Sequence, residues 1–196
     1  MKIGILISGR GSNMVALVDA VQSGEIPASE VAVVISDKDS AGGLEKARER
    51  GVETVVVERN GRRRTEHDAE IIAVLKDRGV ELVCLAGYMR LLSPSFVQAF
   101  PARIINIHPS LLPSFPGLDA QRQALEHGVK ITGCTVHFVD EFLDSGSIIL
   151  QRAVEVLEND TAETLASRIL EVEHAAYVEG VRKVLADHLH NSPKNH

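Results

Sequence analysis

The chain is poor in the features that mark several protein classes. It carries two cysteines in 196 residues, Cys84 and Cys134, each in an apolar segment with no Cys or His at ligand spacing. They read as two buried, reduced thiols, which argues against a secreted disulfide scaffold. No His-Glu-x-x-His or paired Cys-x-x-Cys occurs, and His188 and His190, two apart near a helix end, do not face each other. Metal catalysis is therefore not indicated. Gly-Lys-Ser/Thr is also absent, which excludes a triphosphate loop. Positive charge is scarce. Twenty-one Lys and Arg against 27 Asp and Glu leave a net of −6, and the one short basic run is Arg62-Arg63-Arg64, usually a solvated stretch. Nucleic acid is not an expected partner. The N-terminal apolar run, Ile3–Ile7, has five residues, shorter than a signal-peptide core or a membrane span. A soluble, cytoplasmic protein is expected.

What is present fits a globular α/β chain. Hydrophobic residues make up 44% and charged residues 24%, close to globular averages. A chain of this length buries roughly 70% of its extended-chain surface and folds without a metal or disulfide. Short, β-branched, nearly continuous apolar runs at 2–7, 31–36, 54–57, 81–85 and 103–107 read as buried strands. Helical stretches at 12–22, 41–50 and 65–78 lie between them; in the third, Ile71, Ile72, Leu75 and the stem of Lys76 recur at helical spacing. Ser93 caps a short helix with Pro94 in its first turn. This alternation predicts a mostly parallel sheet with helices on both faces. After residue 108 the pattern changes. The segment 108–117, with three prolines, is a long ordered loop; a helix at 121–127 follows. Runs at 131–139 and 147–156 form an antiparallel pair around an acidic turn at 140–146, and a long helix runs from Asp160-Thr161 to about Leu189. One Rossmann-like domain is expected over 1–196, with halves at 1–100 and 101–190 and a tail at 191–196.

Two segments carry chemistry. Ser8-Gly9-Arg10-Gly11-Ser12-Asn13 is a glycine turn between a strand and a helix, where backbone N–H groups can hold an anion. A dinucleotide fingerprint needs a third glycine at position 14, which is Met14, so a single phosphate on a small substrate is the ligand class. In Asn106-Ile107-His108-Pro109-Ser110-Leu111-Leu112-Pro113, Asn106 and His108 are two apart on a strand and share a face. They lie at the carboxyl end of that strand, where open α/β sheets bind ligands. An amide and an imidazole there can donate to a carbonyl oxygen gaining negative charge. Asp144, in the turn Leu143-Asp144-Ser145-Gly146, would favour the charged imidazole if the turn reached it. His137, alternating with Thr135 on a strand, reads as a packed core histidine.

Leu6–Asn13, Leu85–Arg90, Asn106–Pro113, Thr135–Val139 and Asp144-x-Gly146 together resemble the motifs of the folate-dependent formyltransferases, in order and over nearly the whole chain. The Gly-Ser-Asn loop and the short length resemble the branch that acts on glycinamide ribonucleotide. The resemblance implies transfer of a formyl group from 10-formyltetrahydrofolate to the amine of glycinamide ribonucleotide, a step of purine biosynthesis, with no metal. It implies that Asn106, His108 and Asp144 are catalytic and that Gly11, Ser12, Asn13 and Glu173 bind the ribonucleotide. It places Arg64 at the folate's glutamate tail, and Met89, Arg90, Leu91 and Leu92 along the pteridine slot beside Asn106. The backbone from Val139 through Asp140 to Asp144 closes that slot. Ser145 and Ser147 depart from the family's glycine and proline, and Arg62 and Arg63 are extra to its pattern.

Two rivals stand beside this expectation. A 10-formyltetrahydrofolate hydrolase would use the same three side chains on water, but such enzymes carry a further N-terminal domain. Transfer-RNA formyltransferases carry a further C-terminal domain. A non-enzymatic nucleotide-binding module would not need Asn106, His108 and Asp144 together. Small molecules are the expected partners, and whether the chain forms a homodimer stays open.

Overall fold

The computed structural model describes residues 1–191, with side chains as far as Asp187. The expected tail at 192–196 and the side chains of His188 and His190 lie outside the described residues. Seven strands, β1 (Lys2–Ile7), β2 (Glu30–Ser36), β3 (Thr54–Val56), β4 (Leu82–Leu85), β5 (Ile104–His108), β6 (Ile131–Phe138) and β7 (Ile148–Glu155), form one sheet in the order β3-β2-β1-β4-β5-β6-β7. The first five are parallel, and β6 and β7 add an antiparallel pair. The helices are α1 (Ser12–Gln22), α2 (Gly43–Glu49), α3 (Arg64–Asp77), α4 (Pro94–Ala99), α5 (Ala120–Glu126) and α6 (Ala162–Asn191).

Period-two alternation sorts each strand between two cores. Ile3, Ile5 and Ile7 of β1 pack with Leu17 and Val18 of α1, Leu44 and Ala47 of α2, and Tyr177 and Val181 of α6. Leu6 turns the other way, with Val33 and Ile35, onto Ile71 and Leu75 of α3 and Phe96 of α4. Gly4 lies under α3, where a Cβ would come 2.5 Å from Leu75 Cδ2. On the opposite face Gly180 lets α6 rest on β6, since a Cβ would sit 2.7 Å from Val136 Cγ1. Tyr177, fully buried, reaches the carbonyls of Leu85 at 2.9 Å and Ile105 at 3.1 Å and so ties α6 to β4 and β5. Both cysteines are free and buried, and burial pushes each thiol up to about 12.

One expectation is corrected in α3. Lys76 is exposed, and the buried row is His67, Asp68, Ile71 and Leu75. Polar groups take that place because their hydrogen bonds are met. His67 Nε2 lies 2.7 Å from the Val57 carbonyl, and Asp68 accepts the Ser93 N–H at 2.6 Å. Two buried polar residues hide this part of the stripe from a hydrophobic pattern.

The sheet order reverses between β1 and β4, the switch point at which such sheets hold ligands. The loops that follow these strands are joined there. Ser8 N–H donates to the Gly87 carbonyl at 3.1 Å, and Ser8 Oγ accepts the Met89 N–H at 2.9 Å.

Candidate active site

The carboxyl end of β5 presents Asn106 and His108, and the β6–β7 turn brings Asp144 to them. Asp144 Oδ2 lies 3.5 Å from His108 Nδ1 and accepts the Gly117 N–H at 2.8 Å. The turn closes tightly because Gly146 has no side chain; a Cβ there would lie 1.8 Å from the Phe138 carbonyl oxygen. Asp144 itself takes a left-handed conformation, φ 50. His108 Nε2 is 2.9 Å from the Phe115 carbonyl, so both ring nitrogens face a partner within the protein.

His137 also belongs to this cluster. The antiparallel register places it opposite Asn106, with Thr135 opposite His108. Its Nδ1 donates to its neighbour's carbonyl, Phe138 O, at 2.9 Å, which leaves Nε2 to accept the Asn106 amide N–H at 3.2 Å. Burial pushes the His137 pKa down, so the ring is neutral near pH 7. Its 3.8 Å approach to Asp144 is then not an ion pair. With one amide hydrogen held by His137, Asn106 keeps the other for an oxygen acceptor. The signal that would have found His137 is the even spacing shared by Thr135-x-His137 and Asn106-x-His108 on neighbouring strands. Thr135 steadies the loop after β5: its Oγ1 donates to Ser110 O at 2.7 Å and accepts Leu112 N–H at 3.0 Å.

At the other end of the crevice, Gly11 (φ 69) starts α1 with no side-chain cap, so the first-turn N–H groups have no partner within the helix. Asn13 Nδ2 donates to Glu173 Oε2 at 2.7 Å, joining α1 to α6 across 160 residues of sequence. Burial pushes the Glu173 carboxyl up, against the opposing pull of the Asn13 hydrogen bond. Asn13 Oδ1 is buried and has no partner among the described residues.

The residues expected along the folate slot line the loop after β4 and the β6–β7 turn. Met89 and Leu91 are more than half exposed, while Leu92 packs against the α3–α4 core. Arg90 Nε donates to the buried carboxylate of Asp37 at 2.5 Å. Val139 N–H donates to Ile104 O at 2.9 Å, and Asp140 accepts the Phe142 N–H at 2.9 Å. Ser145 puts its hydroxyl onto both oxygens of Asp140, at 2.9 and 3.0 Å, so this departure from the family pattern closes the turn. Arg62 pairs with Glu70 and Arg63 with Glu66, whereas exposed Arg64 has no carboxylate partner among the described residues. Arg64 shares no hydrogen bond or ion pair with the other expected site residues. No group of three or more metal-ligating side chains occurs among the described residues, and no helix there is long and apolar enough to cross a membrane.

Such a site can stabilise an oxyanion beside a carboxylate-backed imidazole, a few residues from an anion-binding turn. A formyl transferase family model matches residues 1–181. The chain is 42% identical to the phosphoribosylglycinamide formyltransferase of Bacillus subtilis (strain 168), over 94% of each chain. It is 46% identical to the trifunctional purine biosynthetic protein adenosine-3 of Gallus gallus across 94% of its own length, but spans only 18% of that protein. Its fold is similar to the crystal structure of glycinamide ribonucleotide transformylase 1 from Symbiobacterium toebii, with TM-score 0.91 and 56% identity over 93% of this chain and 86% of that one.

Proposed function

The chain belongs to the formyl transferase family, and from that premise we propose that it transfers the formyl group of 10-formyltetrahydrofolate to the amine of glycinamide ribonucleotide. The observation that carries this reading is the convergence of Asn106, His108 and Asp144 at one sheet end, with the 3.5 Å approach of Asp144 to His108. The neutral amine attacks the formyl carbon and a tetrahedral oxyanion forms. Asn106, oriented by His137, and His108 donate to that oxygen, which stabilises charge that exists only as the reaction proceeds. The Phe115 carbonyl yields its place on His108 Nε2 to the substrate. Asp144 orients the imidazole. A proton leaves the attacking nitrogen, another reaches the departing folate nitrogen, and the C–N bond to the folate breaks. The half at 1–100 supplies the anion-binding loop, and the half at 101–190 supplies the catalytic side chains and Glu173. In this reading Gly11, Ser12, Asn13 and Glu173 hold the ribonucleotide. Met89, Arg90, Leu91, Leu92, Val139 and Asp140 line the pteridine slot, Arg64 meets the glutamate tail, and the setting is the cytoplasm.

Hydrolysis of the same formyl donor would need the same three side chains. The open first turn of α1 and the Asn13–Glu173 pair favour transfer, because hydrolysis needs no ribonucleotide subsite. The test mixes protein and 10-formyltetrahydrofolate with and without glycinamide ribonucleotide and follows the folate absorbance. Turnover only with the ribonucleotide is expected; equal turnover without it would establish the hydrolase.

A further inference from the structure

We propose that Lys46 supplies the fixed positive charge of the phosphate subsite and makes that subsite select a phosphomonoester over the corresponding nucleoside. The inference rests on the reading of the Gly11–Asn13 turn as the phosphate loop and adds a residue that lies outside it, on α2. Three observations lead there. First, α2 is seated directly on the turn. Gly43 N–H donates to the Gly9 carbonyl at 3.0 Å, and a Cβ on Gly11 would lie 2.8 Å from Gly43 Cα. Only glycine at both positions permits that contact. Second, Lys46 is three residues beyond Gly43 and so shares its helix face, above the same turn. Its Nζ donates to the Arg10 carbonyl at 3.0 Å, which fixes the ammonium beside the residue preceding Gly11. Third, that ammonium is half-buried and has no carboxylate within ion-pair distance among the described residues, although Lys2 and Lys183 pair with Glu30 and Glu179.

A half-buried cation with one carbonyl partner has two further N–H groups to offer. The uncapped first turn of α1 beside it offers main-chain N–H groups to the same point. A phosphomonoester carries about −1.5 to −2 charges at neutral pH and three acceptor oxygens, which fits this set of donors. Charge on the ligand is what Lys46 recognises, whereas Asn13 and Glu173 recognise neutral hydroxyl groups. The division predicts that Lys46 matters only when the phosphate is present.

The experiment compares wild type, Lys46→Gln and Lys46→Arg on glycinamide ribonucleotide and on the dephosphorylated glycinamide riboside, with 10-formyltetrahydrofolate as donor. Lys46→Gln is expected to raise KM for the ribonucleotide about tenfold to a hundredfold, the range of a charge-assisted hydrogen bond. Its kcat should change less than about twofold, and Lys46→Arg should restore most of the affinity. The riboside KM should be the same in all three, and the salt dependence of the ribonucleotide KM should flatten in Lys46→Gln. Equal KM rises on both substrates would reduce Lys46 to a structural role, and an unchanged ribonucleotide KM would remove it from the site; either overturns the proposal. Calorimetric titration with ribose 5-phosphate separates this from the catalytic reading. Binding to wild type but not to Lys46→Gln supports the subsite even if no formyl transfer occurs, and equal binding to both overturns it.

Discussion

Gly146→Ala isolates how much catalysis depends on the shape of the β6–β7 turn. The glycine is not in the left-handed region, so alanine introduces no backbone strain, and its effect is purely steric. An added Cβ would lie 1.8 Å from the Phe138 carbonyl oxygen, where real contacts essentially never fall below 3.0 Å. The obstacle is main chain, which cannot swing aside as a flexible side chain would. The turn must therefore open by about 1.2 Å, the difference between those distances. Asp144 lies two residues away and meets His108 at 3.5 Å, so the displacement is spent on that contact. A misplacement of about 1 Å near reacting groups costs about a hundredfold in rate, and kcat/KM for formyl transfer should fall by that order. Stability should change little, because the turn is largely exposed and the Phe138 N–Ser147 O bond at 2.9 Å is the main contact at risk. One such bond is worth about 0.5–1.5 kcal/mol, or roughly 1–6 °C in melting temperature for a chain this size. Gly128→Ala is the control. Gly128 has φ +67 and open space around its missing Cβ, so alanine there costs about 1–2 kcal/mol of backbone strain and leaves activity intact. Folate absorbance gives the rate and a thermal melt gives the stability. A folded Gly146→Ala protein with wild-type kcat/KM would refute the argument that this turn positions Asp144.

Three further outcomes follow from named groups. Burial raises the Glu173 carboxyl above 4.5, so the native state holds a proton that the unfolded chain has released, and stability falls as pH rises from about 4.5 through the native pKa. Glu173→Gln should thus melt higher than wild type at pH 7–8, by about 2–8 °C, with the gap closing near pH 4; it should also raise the ribonucleotide KM, and a gap that widens in acid would reverse the assignment. With both thiols pushed up to about 12, Cys84 and Cys134 should ignore a disulfide reagent at pH 8 in the native protein and react, both of them, only after denaturation; rapid native labelling would contradict their burial. Arg64→Ala should raise the folate KM no more than about fivefold at low ionic strength and not at all in high salt, while a rise in the ribonucleotide KM instead would place Arg64 at the wrong subsite.

The parts of this molecule legible in its sequence are those decided by neighbours along the chain. Short β-branched runs and the helices between them fall within about two residues of their observed ends, because a strand buried on both faces has little choice of composition. Asn106 and His108 were legible for the same reason: a spacing of two on a strand fixes their common face whatever surrounds them. The Lys76 expectation failed where local pattern and long-range contact disagreed. A hydrophobic stripe cannot register that His67 and Asp68 are buried once Val57 and Ser93 satisfy them.

The rest of the site depends on contacts between distant segments. Asp144 reaches His108 only because β7 pairs back along β6 and Gly146 lets the turn close, neither of which residues 143–146 state alone. His137 looked like packing because its role comes from register: one residue of slip would move it from Asn106 to the other face of the sheet. Glu173 meets Asn13 across 160 residues, and without the family resemblance nothing nearby would have singled it out. These three long-range contacts share a physical form. In each, a buried polar group is satisfied by one defined partner, so displacing either member leaves the other desolvated and unpaired. That asymmetry holds the site's geometry more firmly than its exposed setting would suggest. It also explains why a single added methyl group at Gly146 is a sharper probe of catalysis than removal of a solvent-facing charge such as Arg64.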